Sequence, residues 1–291
     1  MIDSMRKSFS TKELCEAFKV SRSSYYAWKQ PKQTKHLIEE EKILEAIKII
    51  HSHRHMKSYG SPRMTEELKS RGFQCGRHRV ARLMREQGIS VRPRKAFRPR
   101  TTQVDKSARI APNLLVTASP PNAPGQQLVS DITYLRTKQG WLYLSIIVDL
   151  FSRAIISWDV SDSLAAQSLV NTIEKAKQNG SMKKGCIFHS DRGCQYTSDS
   201  VRETLQPWVK QSMSAKGYCY DNAFAETCFA TIKAEMLPNS QIFESKLDAR
   251  RAVFDYIETF YNRTRRHSSL GQISPLQFLQ LYKQKQNIHL N

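Results

Sequence analysis

The sequence lacks the features that define several large classes of proteins. Its six cysteines are scattered without a C-x-x-C pair, so neither a structural zinc site nor a disulfide framework is indicated. The longest apolar stretch, WLYLSIIV at 141–148, is far shorter than the roughly 20 residues that span a bilayer. The N-terminus has no apolar signal core. We therefore expect a soluble, cytoplasmic protein with reduced thiols and no membrane partner.

Acidic side chains are scarce relative to basic ones. The 291 residues include 46 lysines and arginines but only 26 aspartates and glutamates, which gives a formal net charge of +20. Residues 1–110 alone carry +15 of that charge. A surplus of this size favours a polyanionic partner, with nucleic acid first and an anionic membrane surface second. A basic surface that only contacts solvent is the alternative.

The first residues have the pattern of a helix-turn-helix. The stretch FSTKELCEAFKVSRSSYYAWK at 9–29 predicts two short helices separated by a turn. The residues expected to pack inward are Leu14, Phe18 and Val20. Residues 22–25 begin the second helix, the element that such motifs place in a major groove. A helical hairpin that does not contact DNA is an equally good interpretation of so short a signal.

A second helical segment follows. The periodicity of residues 34–52 predicts one helix, with Leu37 and Ile43 on its apolar face, and two further helices are expected at 62–70 and 77–87. The last of these has a cationic outer face offset only by Glu86, which favours contact with DNA phosphates over a plain solvated surface. The predicted contacts are Arg77, Arg79, Arg82 and Arg85.

Residues 92–126 are predicted to be a basic, proline-rich linker, because they show little helical or strand period. Its cations are expected to lie along DNA; they are Arg92, Arg94, Lys95, Arg98 and Arg100. The complete set of predicted domains is a helix-turn-helix at 1–32, a second helical DNA-binding domain at 33–91, this linker, a catalytic core at 127–262 and a basic C-terminal tail at 263–291.

From residue 127 onward, strand and helix patterns alternate. Three β-rich runs, QLVSDITYLRT, WLYLSIIVDLFS and RAIISWDV, predict an antiparallel meander. The remaining order is helix, strand, helix, strand and helix. The βββαβαβα series predicts an α/β fold, with a mixed five-stranded sheet and helices on both faces.

Three acids stand on three different elements of this domain. Asp131 lies on the first strand, Asp191 ends the fourth, and Glu226 lies one turn inside the last helix. The first and fourth strands are expected to be neighbours, so the acids can converge, but such a cluster would repel itself unless cations separated the groups. Mg²⁺ prefers oxygen ligands, and two ions about 4 Å apart suit an in-line displacement at phosphorus.

Composition and period alone do not separate these acids from Asp149, Asp159, Asp162 or Asp221. A series of motifs does, and it resembles the second-frame (OrfB-type) transposases of frameshifting bacterial insertion sequences, in the DDE and retroviral integrase superfamily. The motifs are VSDITYL, VDLFSRAIISW, HSDRGCQYTS, SMSAKGYCYDNAFAETCFATIKAE and YNRTRRHSSLGQISP. The resemblance covers residues 9–278. The sequence departs from the family pattern at Leu128, where relatives often have tryptophan. This difference is expected to change local packing but not the chemistry.

The resemblance implies an RNase H-like catalytic domain and a catalytic triad of Asp131, Asp191 and Glu226. The last two acids are separated by 34 residues, within one residue of the family's habit. The same acids are implied as ligands of two Mg²⁺ ions, for which Mn²⁺ can substitute, with Asp131 bridging both. The implied activity is strand cleavage at element ends followed by transfer of the freed 3′-hydroxyl. A structure-specific nuclease and a non-catalytic DNA-binding regulator are the alternatives.

Several neighbours of the triad have two interpretations. Lys233 lies seven residues after Glu226, on nearly the same helical face, where its ammonium is expected to hold phosphate rather than only meet solvent. Asn222 either caps its helix, which is slightly favoured, or touches the terminal nucleotide. His189 is expected to be a satisfied core histidine, and Asp149 to be structural rather than a metal ligand.

The C-terminal motif adds a last basic cluster. Arg263, Arg265 and Arg266 are predicted to hold donor or target DNA, while Tyr261 and Leu270 are expected to fold the tail back on the catalytic domain. The implied partners are double-stranded DNA, comprising element ends and target, and further copies of the chain in a homo-oligomer. An upstream-frame DNA-binding protein or fusion is a further implied partner. The expected location is the bacterial cytoplasm, in association with the nucleoid.

Overall fold

The computed structural model describes residues 2–6, 8–29, 35–90, 110–214, 223–238 and 240–288. The first part is helical, with α1 (Ile2–Met5), α2 (Thr11–Ala17) and α3 (Arg22–Lys29). Leu14 is buried as predicted, but the prediction for Val20 is wrong because that side chain is exposed. Tyr25 is buried and donates a hydrogen bond to Asp3, so it contributes to packing of this motif.

The second helical segment contains α4 (Lys35–Ser52), a short 3-10 helix (Met56–Ser58), α5 (Ser61–Ser70) and α6 (Arg77–Glu86). These bounds agree with the sequence periodicity to within one residue. Leu37 is exposed, contrary to expectation, because the packed face of α4 begins one turn later. The buried members of this core include Ile43, Ile47, Ile50, Met64, Leu68, Val80, Leu83 and Met84.

The α/β part begins with three antiparallel strands, β1 (Gln127–Thr137), β2 (Gly140–Asp149) and β3 (Ile155–Ser161). It continues with α7 (Ala166–Gln178), β4 (Ile187–Ser190), α8 (Cys194–Thr197), α9 (Asp199–Leu205) and β5 (Lys210–Met213). The strand order is β3-β2-β1-β4-β5, and β4 is parallel to both of its neighbours. The mixed five-stranded sheet and the expected neighbourhood of its first and fourth strands are confirmed.

Helices cover both faces of the sheet, as predicted. One buried cluster joins the sheet to α7 and α9, and its members include Leu128, Ile147, Leu169, Ile173 and Phe188. The other face packs against α10 (Ala223–Met236), α11 (Lys246–Phe254) and a π-helical segment (Asp255–Tyr261). The chain ends with a 3-10 helix (Ser268–Leu270) and α12 (Pro275–Ile288). None of the described helices has the length and apolar character that a bilayer crossing requires.

A buried carboxylate joins the helical segment to the α/β part. Glu235, on α10, accepts hydrogen bonds from Arg265 at 2.7 and 2.9 Å, in a bidentate pair whose two side chains are each only 3% exposed. Arg63 of α5 lies 3.2 Å from the same carboxylate, and the Tyr256 hydroxyl donates to it at 2.8 Å. Burial alone would raise the pKa of Glu235, but the guanidinium of Arg265 lowers it below its usual range.

Two further contacts connect the same parts. Arg266 pairs with Glu67 of α5 at 2.9 Å and donates to Ser70 at 2.6 Å. The Nε2 atom of His55 lies 2.8 Å from the Asp255 carboxylate, and the His55 ring stacks on the ring of Phe260. The apolar cluster that contains α4, α5 and α6 continues into α10 and α11. The second helical segment is therefore packed against the α/β part of the chain.

These contacts correct the interpretation of the basic tail. The prediction that Arg265 contacts DNA is wrong, because its side chain is buried against Glu235. Arg266 is 16% exposed and already paired with Glu67, so its guanidinium also serves the interface within the chain. Tyr261 and Leu270 are buried, and the Tyr261 hydroxyl donates to the Arg153 carbonyl at 3.1 Å, so this region folds back on the α/β part as expected.

Replacing Glu235 with alanine is expected to lower the free energy of unfolding by about 3–5 kcal/mol, because Arg265 would stay buried without a counter-charge. Chemical denaturation measures the change. Asp162→Ala is the matched control, since Asp162 forms exposed ion pairs with Lys246 at 2.7 Å and Arg250 at 2.5 Å. That variant is expected to lose less than about 1 kcal/mol. Equal losses would contradict the role given to the buried pair.

His267 is expected to make stability depend on pH. Burial lowers its pKa from 6.5 to about 2, and the nearby guanidinium of Arg265 acts in the same direction. The folded protein keeps this imidazole neutral, whereas the unfolded chain binds a proton below pH 6.5. The contribution of His267 to stability is therefore intact above pH 6.5 and is lost progressively as the pH falls toward 2. Between pH 7 and 5 the loss is about 2 kcal/mol.

Denaturation across this pH range, in the parent and in His267→Gln, measures the contribution. Glutamine offers Arg265 an acceptor but does not titrate, so the variant is expected to lose less stability on acidification than the parent does. His78→Gln, which changes an exposed histidine of α6, is expected to keep the parent's slope. Parallel curves for the parent and His267→Gln would refute the assignment.

Candidate active site

Strand register brings two of the predicted acids to one place. In the parallel pair of β1 and β4, Val129 stands opposite His189. Two residues further along the chain, Asp131 continues β1, and Asp191 follows directly after the last residue of β4. Neighbouring strands are about 4.8 Å apart, and side chains two residues apart share a face. The first two acids of the predicted triad therefore lie at the same end of two neighbouring strands.

Backbone amides orient both carboxylates. Asp131 accepts a hydrogen bond from the backbone amide of Ile132 at 2.8 Å, and Asp191 accepts one from Gly193 at 2.9 Å. A Cβ atom at Gly193 would lie 3.0 Å from Oδ1 of Asp191, so the absence of a side chain allows this close approach. Both aspartates are half-buried. Their partial exposure lets a ligand reach them, and the hydrogen bonds from the backbone amides restrict the orientation of the two carboxylates.

Lys233 brings a cation from α10 to the same place. Burial lowers the pKa of this half-buried lysine, and the nearby carboxylate of Asp131 opposes that effect by favouring the ammonium form. This influence agrees with the packing of α10 against β1, in which Phe229 and Ile232 share a buried cluster with Val129. A positive charge beside these carboxylates is suited to an anionic ligand such as a phosphate.

The backbone of Glu226 lies on the same side of α10. It stands seven residues before Lys233, and two helical turns separate positions that share a face, about 10 Å apart along the axis. The Glu226 side chain and the whole of Asn222 lie outside the described residues. Among the side chains that are described, no group of three His, Cys, Asp or Glu residues has metal-binding geometry. The third acid of the triad stays a prediction.

Two neighbouring polar residues are structural, as expected. His189 is fully buried, and its ring nitrogens lie 2.8 Å from the Ser212 hydroxyl and 3.2 Å from the Ser214 hydroxyl. Asp149 is also buried; it accepts hydrogen bonds from the backbone of Gly125 at 3.0 Å and from Ser152 at 2.9 Å. Both residues complete the core next to the site.

The cationic face of α6 is smaller than the sequence indicates. Arg77 and Arg85 are exposed and stay candidates for phosphate contact. Arg79 is 20% exposed and pairs with Glu40 of α4 at 3.3 Å. Arg82 pairs with the same glutamate and also with Glu86. Glu40 escaped the sequence analysis because it precedes α6 by about 40 residues, and only the packing of α4 on α6 brings the charges together.

The other predicted DNA contacts divide in the same way. Arg263 stays a candidate for DNA contact because its side chain is exposed. Its Nε donates to the Glu258 carbonyl at 2.9 Å. The linker cations lie outside the described residues; they are Arg92, Arg94, Lys95, Arg98 and Arg100.

One residue of the site was missed. Tyr196, on α8, is buried beneath the two aspartates, and its hydroxyl lies 3.0 Å from the Ser130 hydroxyl. Burial raises the pKa of Tyr196 well above its usual value, and the charges of Asp131 and Asp191 raise it further. The tyrosine is visible within the motif HSDRGCQYTS, but no local pattern reveals what its hydroxyl contacts.

Models of known protein families match both the helical part and the α/β part of the chain. Two models described as "Integrase core domain" match residues 121–219 and 208–275, and one described as "HTH-like domain" matches residues 38–97. The transposase InsF for insertion sequence IS3A of Escherichia coli strain K12 is 36% identical over 280 residues, which cover 95% of this chain and 96% of that protein.

Two other proteins are similar. The insertion element IS600 uncharacterized 31 kDa protein of Shigella sonnei is 38% identical over 272 residues, or 93% of this chain and 99% of that protein. Among solved structures, the HTLV-2 integrase catalytic core domain in complex with magnesium covers 54% of this chain and 97% of its own, with 17% identity and a TM-score of 0.40.

The two kinds of arginine on α6 are expected to differ in their effect on DNA binding. Arg85→Gln should weaken binding to double-stranded DNA and reduce the slope of log affinity against log salt by about 0.9, the value for one lost phosphate contact. Arg79→Gln should change the slope less, because this guanidinium already pairs with Glu40. Binding titrations at several salt concentrations measure both. Equal changes in slope would show that pairing within the chain does not matter.

Proposed function

The chain belongs to the transposase family of the IS3 insertion sequences, and on that premise we propose that it cleaves DNA at the ends of such an element and joins the freed 3′-hydroxyl to target DNA. The relationship extends over nearly the whole chain, so both the helical part and the α/β part have counterparts in the relative. The enzyme class is a polynucleotidyl transferase, which carries out DNA transposition through phosphoryl transfer.

The observation that carries the proposal is the parallel register of β1 and β4, which brings Asp131 and Asp191 to the same end of the sheet, together with the electrostatic influence of Asp131 on Lys233. In our proposal Asp131, Asp191 and Glu226 are the catalytic residues. Strand register supports the first two, and the position of residue 226 on the Lys233 face of α10 supports the third.

The donor set fits a divalent metal. Integrase core domains generally use such metals, and hard cations prefer carboxylate oxygens. We propose that Asp131, Asp191 and Glu226 hold two Mg²⁺ ions, for which Mn²⁺ can substitute. When bound, these ions would neutralise the charge that develops on the oxygens around phosphorus.

The protein's own cations position the DNA. We propose that the ammonium of Lys233 holds a phosphate oxygen next to the acids, and the carboxylate of Asp131, which favours the protonated form, supports this role. Arg77, Arg85 and Arg263 are exposed and are proposed to contact the backbone further away. Such contacts fix the orientation of the duplex without reading its sequence. The contacts proposed for Asn222 and the linker cations rest on the sequence alone.

The helical segments are proposed to recognise the element ends. The division into a helix-turn-helix at 1–32, a second helical domain at 33–91, a linker at 92–126, a core at 127–262 and a tail at 263–291 is part of the same proposal. Because transposition acts on two DNA ends, we propose that the chain works as a homo-oligomer, together with an upstream-frame DNA-binding protein or fusion. Its proposed location is the bacterial cytoplasm, at the nucleoid.

Asp131→Asn and Glu226→Gln are expected to reduce strand cleavage and joining by at least about 1,000-fold, because each removes a charge that the metal ions require. Binding to DNA should persist, since the proposed phosphate contacts remain. Labelled element-end DNA incubated with the purified protein and Mg²⁺ measures cleavage, joining and retardation together. Asp199→Asn is the matched control, because Asp199 is 80% exposed and lies on α9.

The same assay separates the competing functions. Joined products support transposition, whereas nicks without joining would indicate a nuclease, and retardation without cleavage would indicate a regulator. Joining at the parent rate by either Asp131→Asn or Glu226→Gln would overturn the assignment of the acids.

A further inference from the structure

The strand ladder that aligns the two aspartates ends before it reaches them. The parallel pairing of β1 with β4 consists of Gln127 with Ile187, Leu128 with Phe188 and Val129 with His189. Asp191 follows the last residue of β4 and begins the turn that leads into α8. Some contact beyond the ladder must therefore hold this turn against β1 if the separation of the two carboxylates is to be fixed.

A chain of two buried hydrogen bonds supplies that contact. Ser130, next to Asp131 on β1, donates its hydroxyl proton to the Ile146 carbonyl of β2 at 3.0 Å. Because a serine hydroxyl has one proton, the 3.0 Å contact between Ser130 and Tyr196 must be donated by the tyrosine. Ser130 and Tyr196 are both buried. The chain connects α8, β1 and β2 directly beneath the acids.

Tyr196 is also held from the other side. Gln211 of β5 donates from its side chain to the Tyr196 carbonyl at 3.1 Å. The backbone of α8 is thus hydrogen-bonded to β5, while the Tyr196 hydroxyl contacts Ser130 of β1. The influence of both Asp131 and Asp191 on the pKa of Tyr196 agrees with this position beneath the pair.

We propose that Tyr196 is a positioning residue, whose hydroxyl sets the separation of the Asp131 and Asp191 carboxylates and thereby the affinity for divalent metal. The inference rests on the proposed function, in which these two acids bind metal. Mg²⁺ requires near-ideal octahedral geometry at short distances, so a small change in the separation of two ligands weakens its binding. A tyrosine that only filled the core would not affect metal affinity.

Tyr196→Phe tests this directly. The variant keeps the buried ring and removes only the hydroxyl, and Ser130 keeps its bond to Ile146, so no buried donor loses its partner. The half-saturating Mg²⁺ concentration for cleavage of labelled element-end DNA is expected to rise about three- to tenfold, the effect of losing one hydrogen bond. The rate at saturating Mg²⁺ should stay within about twofold of the parent, because only binding is weakened.

A second measurement does not depend on activity. Mg²⁺ added to the full chain without DNA should raise its melting temperature, and at a fixed Mg²⁺ concentration this rise should be smaller for Tyr196→Phe. An unchanged half-saturating concentration with an unchanged melting shift would overturn the inference. A rate that falls equally at all Mg²⁺ concentrations would also overturn it, because that result indicates a role unrelated to metal affinity.

Matched variants separate the possible failures. Tyr59→Phe makes the same chemical change at a buried tyrosine of the helical segment, whose hydroxyl accepts from the Arg266 amide at 3.3 Å; its half-saturating Mg²⁺ should equal the parent's. Ser130→Ala removes the acceptor of the Tyr196 bond and should shift the Mg²⁺ dependence in the same direction as Tyr196→Phe. If neither Tyr196→Phe nor Ser130→Ala folds, the hydrogen bond between these two residues is needed for folding, and the inference is overturned.

Asp131→Asn distinguishes this inference from the proposed function. If the melting shift persists in Asp131→Asn, the metal site itself is wrongly assigned. If the shift is lost in Asp131→Asn but retained in full by Tyr196→Phe, the metal site stands and only the role of Tyr196 is refuted.

Discussion

The buried carboxylate of Glu235 is the constraint on which the arrangement of the molecule depends. A charge in the interior must be paired, and Glu235 takes its partners from two distant segments, Arg63 of α5 and Arg265 beyond the π-helical segment. On α10 it stands two residues from Lys233, so the two side chains point to roughly opposite sides of the helix. One side of α10 is thus fixed to the helical part of the chain, while the other is presented to Asp131.

Two different kinds of interaction place the acids. The parallel ladder of backbone hydrogen bonds aligns β1 with β4 as far as Val129 and His189, and Asp131 and Asp191 each follow two residues later. Glu226 depends on α10, which is positioned by apolar packing and by the Glu235 pair. The two strand acids are therefore set locally by the sheet, whereas the helical acid depends on the docking of several segments around its helix.

The positive charge of the chain serves two purposes. Part of it stabilises the protein internally, since Arg265, Arg266 and Arg79 each pair with a glutamate from another element. The exposed cations, among them Arg77 and Arg85, are the ones available to a polyanion. Net charge correctly indicated the class of partner, because it measures the surplus after all pairing. It could not identify the contacts, because pairing depends on which side chains meet in space.

Most of the helices, the five strands and the mixed sheet could be predicted from the sequence alone, because the periods of 3.6 and 2 residues and the local turn signals are properties of neighbouring positions. Motifs also predicted Asp131 and Asp191 as site residues, and the parallel pairing of β1 with β4 brings both to the same end of the sheet. The burial of Arg265, the neutralisation of part of α6 by Glu40 and the contact of the Tyr196 hydroxyl with Ser130 became visible only in the folded chain. Each of these facts joins residues 30 to 66 positions apart, and such contacts are set by the packing of whole elements rather than by any local pattern.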